Sequence, residues 1–263
     1  MIDTFRFTPP SKELAPYVKY FWMLEGKASG NQPYRHTTIP DGTTQLLFAL
    51  PDGVGRTVCM GYGPQKTSRT YVLDRDFRIF GVCLYPFTLP HLCSLPGEAF
   101  LNSAFPVETL PGFNGTPWER ITNAPDNQAR CQAFEGLLRA RLREQPGKTP
   151  PVFQAIATLL QGNAQASTGW KQRSPRQFQR LVKKYTGFTP KQLLRIARLQ
   201  RALDISISNS LTERALDSGY YDQAHFTNDF KSFLGKTPKQ YFTKPHTGFQ
   251  WRITGKEVAF FQF

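Results

Sequence analysis

Cysteine and histidine are scarce, with four of each in 263 residues. Cys59, Cys83, Cys93 and Cys131 are scattered and form no CxxC. In an intracellular chain such cysteines read as buried free thiols. His36 and His91 stand apart from any carboxylate cluster, so no metal site is expected. There is no Ser-His-Asp layout, no P-loop and no GxGxxG ahead of a helix. Hence no catalytic residue and no cofactor is expected, and the chain reads as a non-enzyme. No apolar run approaches the roughly 18 residues of a membrane span. The start, MIDTFRFTPPSKEL, lacks a basic segment followed by an apolar one. The expectation is an intracellular chain with no signal peptide and no membrane partner.

Acidic residues are also few, 19 against 33 Lys and Arg, for a net charge of +14. The deficit is local. Residues 170–246 hold fifteen Lys/Arg and five Asp/Glu, whereas residues 1–169 hold sixteen and thirteen. A basic excess confined to one segment suits a domain that meets a polyanion. Aromatics are abundant, with 22 Phe among 40% hydrophobic residues. A packed core is therefore expected, not disorder.

The first half reads as short strands. Val18–Leu24 (VKYFWML) follows a short helix candidate capped by Ser11. IPDG at Ile39–Gly42 is a turn signal before TTQLLFAL, and RTVCMGYG, RTYVL and FRIFGVCLYPF continue the series. Such spacing predicts a barrel or sandwich-like β domain. Helical spacing then appears in Cys131, Phe134, Leu138 and Leu142, with Asp126 as cap and Gly147 past the end. PGKTPP at Pro146–Pro151 reads as a linker, and Val152 to about Phe242 is helical in pattern. The expected fold class is α+β. It places a β-rich domain over 1–147, an all-α double helix-turn-helix domain over 150–246, and a tail over 247–263.

One phrase occurs twice in the helical half. SPRQFQRLVKKYTGFTPKQ (Ser174–Gln192) lies over DQAHFTNDFKSFLGKTPKQ (Asp222–Gln240) at an offset of 48. Ser174 and Asp222 are N-cap residues. Phe178, Val182 and Tyr185 in one copy, and Phe226, Phe230 and Phe233 in the other, mark the buried face of a helix of about twelve residues. Gly187 and Gly235 sit at C-cap positions, and Thr-Pro then starts a new helix. Before the second copy, LTERALDSGYY predicts a short helix over Thr212–Ser218 and a turn at Gly219. The outward faces carry Arg176, Gln179, Arg180, Lys183 and Lys184 in one copy, and Gln223, Thr227, Asn228 and Lys231 in the other. Arg pairs with guanine, Gln with adenine, and Lys with phosphate. His225 reads either as a DNA contact or as a packed helix edge. PKQLLRIARLQRALDISIS between the copies predicts one helix from Pro190 to about Ile205, on the order of 25 Å long. That length would put the two readers about one DNA turn, roughly 34 Å, apart.

These residues carry a resemblance. SPRQFQRLVKKYTGFTPKQLLRIARLQRAL and SGYYDQAHFTNDFKSFLGKTPKQYF resemble the AraC/XylS-type DNA-binding domain, over about a third of the chain. LAPYVKYFW, IPDGTTQLLF, the Phe80–Tyr85 strand and VAFFQF are more weakly similar to an uncharacterised β-rich domain found ahead of such domains. The resemblance implies a bacterial transcription factor of the cytoplasm and nucleoid, with a linker helix joining two helix-turn-helix units. Carried over by position, the base-reading residues are Arg176, Gln179, Arg180, Gln223, Ala224, Thr227 and Asn228. The phosphate-holding residues are Lys183, Lys184, Thr189, Lys231 and Thr237, with helix-start N–H groups contributing near the two threonines. Asn228 stands where the family often has Arg, and Arg214 where it prefers an apolar residue. STGWKQRS lacks the usual Gly turn.

The partners implied are double-stranded DNA and an unknown small-molecule effector, with RNA polymerase and a second copy of the chain as further partners. Trp22, Tyr62 and Phe80 are the candidate effector-pocket residues. Two alternatives stay open at this point. In one, the β-rich half only dimerises. In the other, Cys59, Cys83 or Cys93 makes the chain a thiol-based sensor or repair protein. The tail, GFQWRITGKEVAFFQF, reads as a hairpin around Thr254-Gly255 that docks on the β-rich half.

Overall fold

The structure is a computed structural model that describes residues 2–27, 34–50, 59–73, 76–145, 149–165, 174–203, 210–243, 250–251 and 260–261. Its first part is built on six antiparallel strands. These are β1 (Ile2–Thr8), β2 (Val18–Gly26), β4 (Thr44–Ala49), β5 (Cys59–Tyr62), β7 (Phe77–Leu84) and β8 (Ala104–Pro106). Their order is β1-β2-β7-β4-β5-β8, so the sheet ends in two edges and does not close into a barrel. Two further strands, β3 (Tyr34–Thr38) and β6 (Arg69–Leu73), pair with each other as a separate antiparallel ribbon.

Alternation along the strands gives the sheet two unlike faces. Phe21, Met23, Leu46, Phe48, Phe80 and Val82 join the main core. Phe21 and Phe80 stack with centroids 6.0 Å apart. Phe134 meets Phe21 edge-on at 5.9 Å and Phe48 at 6.3 Å. Phe134 belongs to α3 (Asn127–Glu144), which covers this face. The N–H of Ala129 donates to Asp126, the expected cap. Burying one such Phe stabilises the fold by roughly 2–3 kcal/mol. The other face presents Tyr20, Trp22, Leu24 and Cys83 as a smaller cluster. A Cβ at Gly81 would lie 1.9 Å from Trp22 Cε2, so only glycine lets the indole lie flat across β7.

Residues 12–17 form a turn, not the expected short helix. Leu14 and Ala15 both donate to the Ser11 carbonyl, and Pro16 has no N–H with which to extend a ladder. α1 (Thr88–Cys93), 3-10 turns at Gly97–Phe100 and Val107–Thr109, and α2 (Glu119–Thr122) complete the described part of this half.

The helical part follows as α4 (Val152–Leu160), α5 (Pro175–Thr186), α6 (Pro190–Ala202), α7 (Leu211–Asp217), α8 (Gln223–Leu234) and α9 (Pro238–Thr243). One hydrophobic cluster runs from the sheet into these helices. Phe153 of α4 stacks on Phe87 at 4.1 Å and meets Tyr185 of α5 edge-on at 5.0 Å. A Cβ at Gly97 would lie 2.5 Å from the backbone nitrogens of Thr186 and Gly187. Glycine there lets the two halves touch backbone to backbone. In the tail, Gln250–Trp251 pairs antiparallel with Phe260–Phe261, and the expected turn at Thr254-Gly255 lies outside the described residues. Among the described residues, no helix is long and apolar enough to cross a membrane.

Candidate nucleic-acid interface and effector cavity

α5 and α8 each have twelve residues and are built alike. Ser174 caps α5 in a capping box with Gln177, and Asp222 accepts from the His225 N–H to start α8. Both end on a left-handed glycine, Gly187 at φ 73° and Gly235 at φ 71°. Thr189 and Thr237 then cap α6 and α9, with Pro190 and Pro238 in the first turn. α7, a left-handed Gly219 (φ 84°) and α8 make a complete helix-turn-helix. The turn ahead of α5 lies outside the described residues.

Arg176, Gln179, Arg180, Lys183 and Lys184 are exposed on α5, and Phe178 and Val182 are buried behind them. Gln223, Ala224, Asn228 and Lys231 are exposed on α8, and Thr227 is half-buried. Three of the side chains expected to contact DNA are already engaged. Lys183 Nζ lies 2.9 Å from Glu98 of the 3-10 turn. Gln223 Oε1 lies 3.0 Å from the Thr212 hydroxyl. Lys184 lies over the Tyr185 ring. The Thr189 and Thr237 N–H groups donate at 2.8 and 2.9 Å to Gln192 and Gln240, so a phosphate at either helix start must displace a glutamine. His225 is exposed, and its ring stands edge-on to Tyr220 at 5.3 Å.

The linker helix α6 is one continuous rod of thirteen residues, about 20 Å long. It ends before the expected Ile205, and residues 204–209 lie outside the described set. Arg195 of α6 donates through Nε at 2.7 Å, and again through Nη2, to the buried Asp229 of α8. Arg214 of α7 departs from an apolar pattern yet is buried. It donates at 2.9 Å to the Ala202 carbonyl, and its guanidinium lies 4.4 Å from the Phe242 ring centroid. It therefore satisfies the end of the linker helix and packs as a flat apolar plate. A surface groove of about 860 Å³ opens between α5, α6, the segment that follows α4 and the turn at Gly219. Lys191, Arg198 and Arg201 line it with Gln179, and no described lining residue is acidic.

The second sheet face forms the floor of a cavity of about 320 Å³, roofed by the β3–β6 ribbon. Trp22 and Tyr62 line it. Phe80 does not: it is fully buried on the opposite face against Phe21 and Phe48, one residue out of phase with the cavity wall. Residues that sequence reading did not assign to a pocket complete the lining, among them Tyr20, His36, Asp41, Gln45 and Tyr71. A polar chain runs along one wall. Asp41 accepts from the Thr43 N–H at 2.9 Å and from its hydroxyl at 2.7 Å. Gln45 Nε2 donates to the Thr43 hydroxyl at 3.0 Å, and Gln45 Oε1 accepts from Trp22 Nε1 at 3.0 Å. Burial lowers the His36 pKa to about 4, which keeps the ring uncharged. Burial, with Cys83 and Asp41 beside it, raises the Tyr20 phenol well above its usual value.

All four cysteines are buried and free. Burial, the first cause in each case, pushes Cys83 and Cys131 up to about 11 and Cys93 up to about 12, and raises Cys59 as well. A reactive thiol needs the opposite environment. Among the described residues, no group of three His, Cys, Asp or Glu side chains could hold a metal ion.

Two capped helices with basic-polar outer faces, joined through one linker helix and the second set in a complete helix-turn-helix, define a helix-turn-helix protein. Comparison with known proteins agrees. A model described as a helix-turn-helix domain matches residues 172–244, and one described as a domain of unknown function (DUF6597) matches residues 6–106. The chain thus carries a helix-turn-helix domain toward its C-terminal end, behind a domain of unknown function. The XylDLEGF operon transcriptional activator 1 of Pseudomonas putida is 26% identical over 125 residues, 40% of this chain and 38% of that protein. The chain therefore spans well under half of the length of the curated relative it matches. Among solved structures, an apo form of ToxT from Vibrio cholerae is similar at a TM-score of 0.42 and 10% identity, over 85% of this chain and 97% of that one. An unsaturated fatty acid bound form of ToxT is similar at a TM-score of 0.36 and 11% identity, over 92% and 94% of the two chains.

Proposed function

We propose that the chain is a sequence-specific, DNA-binding transcription regulator of the cytoplasm, in which α5 and α8 enter successive major grooves. The observation that carries this is the pair of twelve-residue capped helices, each with an exposed polar-basic face, fixed to one linker helix. Arg176, Gln179 and Arg180 read one half-element, and Gln223, Ala224, Thr227 and Asn228 read the other. Lys183, Lys184, Lys231 and the helix starts at Thr189 and Thr237 hold phosphates. Residues 150–246 form the reading domain and residues 1–147 the sensing domain. RNA polymerase and a second copy of the chain are partners of the same reading.

The cavity is the effector site in this proposal, and a physical path leads from it to the readers. Ile39, Pro40, Asp41 and Thr43 line the cavity, and the same loop rests on the linker helix. Gln200 Nε2 of α6 donates to the Pro40 carbonyl at 2.7 Å. A Cβ at the left-handed Gly42 (φ 70°) would lie 2.6 Å from Leu160 and 3.8 Å from Leu193 and Ile196. An effector that moves this loop shifts the rod joining the two readers, and so biases the DNA-competent state. Selection of random duplex DNA on the full chain at two salt concentrations tests the proposal. Two half-elements about ten base pairs apart support it, and Arg180→Ala then blurs one of them. Binding with a salt slope and no sequence preference would contradict it.

A further inference from the structure

We propose that the cavity accepts an aromatic ligand carrying a positive charge, an arylalkyl amine, and rejects the matching carboxylate; this rests on the cavity being the effector site. Among the described residues, the lining supplies one formal charge. Asp41 is the one carboxylate among the lining residues described, and there is no lysine or arginine among them. His36 is kept uncharged by burial. Lys19 is close enough to act on Cys83 but does not line the cavity. An anion placed here would lose water and meet Asp41 with no cation to balance it.

The remaining walls favour a cation. Tyr20, Trp22, Tyr62 and Tyr71 present aromatic surface to the cavity. Tyr62 and Tyr71 stand edge-on at 5.5 Å, one on the floor and one on the roof. Aromatic faces attract cations, most strongly where water is excluded. Asp41 is also set in place before any ligand arrives. The Thr43 N–H and hydroxyl fix its carboxylate, and two oxygens with about four lone-pair sites leave acceptor capacity for an ammonium. The volume of about 320 Å³ lies at the small end of the roughly 300–1,000 Å³ typical of ligand pockets. That size suits one or two fused rings with a short chain.

Calorimetric titration of the full chain with three isosteres tests the charge. The indole set is tryptamine, 3-propylindole and indole-3-propionate. The phenyl set is phenethylamine, propylbenzene and hydrocinnamate. The amine of a set is expected to bind about tenfold more tightly than its neutral isostere, and the carboxylate more weakly than both. Asp41→Asn keeps an acceptor for Thr43, so the loop folds. It should erase the amine's advantage and leave the neutral isostere unchanged. Tyr71→Leu should weaken the amine without touching the Asp41 loop. Equal binding across charge states, tightest binding by a carboxylate, or an amine advantage that survives Asp41→Asn overturns the charge assignment and leaves the effector site standing. No binding by any member of either set overturns both.

Discussion

GFTPKQ and GKTPKQ differ in one residue, and the structure shows what that residue does. Phe188 is buried at 1% exposure, whereas Lys236 is exposed. The glycines before them diverge in the same way. A Cβ at Gly187 would lie 2.7 Å from Leu101 and 3.0 Å from the Gly97 carbonyl, while a Cβ at Gly235 meets nothing within 4 Å. The first copy is wedged against the β-rich half. The second is fastened mainly to the linker helix through Arg195 and Asp229, with the Ser68 N–H reaching the Phe233 carbonyl at 2.8 Å. A duplicated unit has kept its caps and turns, which local chemistry demands, and changed where a neighbour presses on it. Under the proposed function, the first reader is therefore the one on which the β-rich half presses more closely.

Exchanging the distinguishing residues should give the largest asymmetry. Phe188→Lys puts a charge in the core and is expected to cost about 3–5 kcal/mol. Lys236→Phe should stay within about 0.5 kcal/mol. Urea unfolding of both variants measures this, and equal losses would break the comparison. Next come the glycines. Each needs a positive φ, so alanine costs about 1 kcal/mol at either site. Gly187→Ala adds the contacts with Leu101 and Gly97, for roughly 2–3 kcal/mol in all, readable in thermal melts. Asp229→Asn should cost about 2 kcal/mol by weakening a buried pair. It should blur the half-element read by α8 and leave that of α5 intact in footprints. The smallest effect is at the surface. Glu98→Gln should change stability by under about 0.5 kcal/mol. By freeing Lys183 it should steepen the salt dependence of DNA binding by about one unit of slope.

Much of the helical half was legible because its signals are local. Ser174, Thr189 and Asp222 as caps, Gly187, Gly219 and Gly235 as turns, and Phe226, Phe230 and Phe233 as a buried stripe all lie within a few residues of what they control. The β-rich half was less so. Trp22 and Tyr62 line the cavity, but Phe80 faces the core, because its phase is set by pairing with β2 and β4. Alternation alone held part of the answer, since Ile79 and Gly81 bracket Phe80 on the cavity side. Asp41 read only as a turn residue, and its place in the cavity depends on a ribbon formed by strands more than thirty residues apart. Glu98 against Lys183 and Gln200 against Pro40 are likewise contacts between distant segments. No spacing within one element announces such pairs. Arg214 looked like a departure because its partners, Ala202 and Phe242, flank it from two other helices.

The most direct test takes the selected DNA site and inserts five base pairs between its two half-elements. α6 is a single rod, clamped to α8 by Arg195 and Asp229. If it fixes the distance and phase of the two readers, half a helical turn of extra spacing should reduce affinity to that of a single half-element. Undiminished binding to the expanded site would mean that the readers move independently, and would contradict the two-reader account.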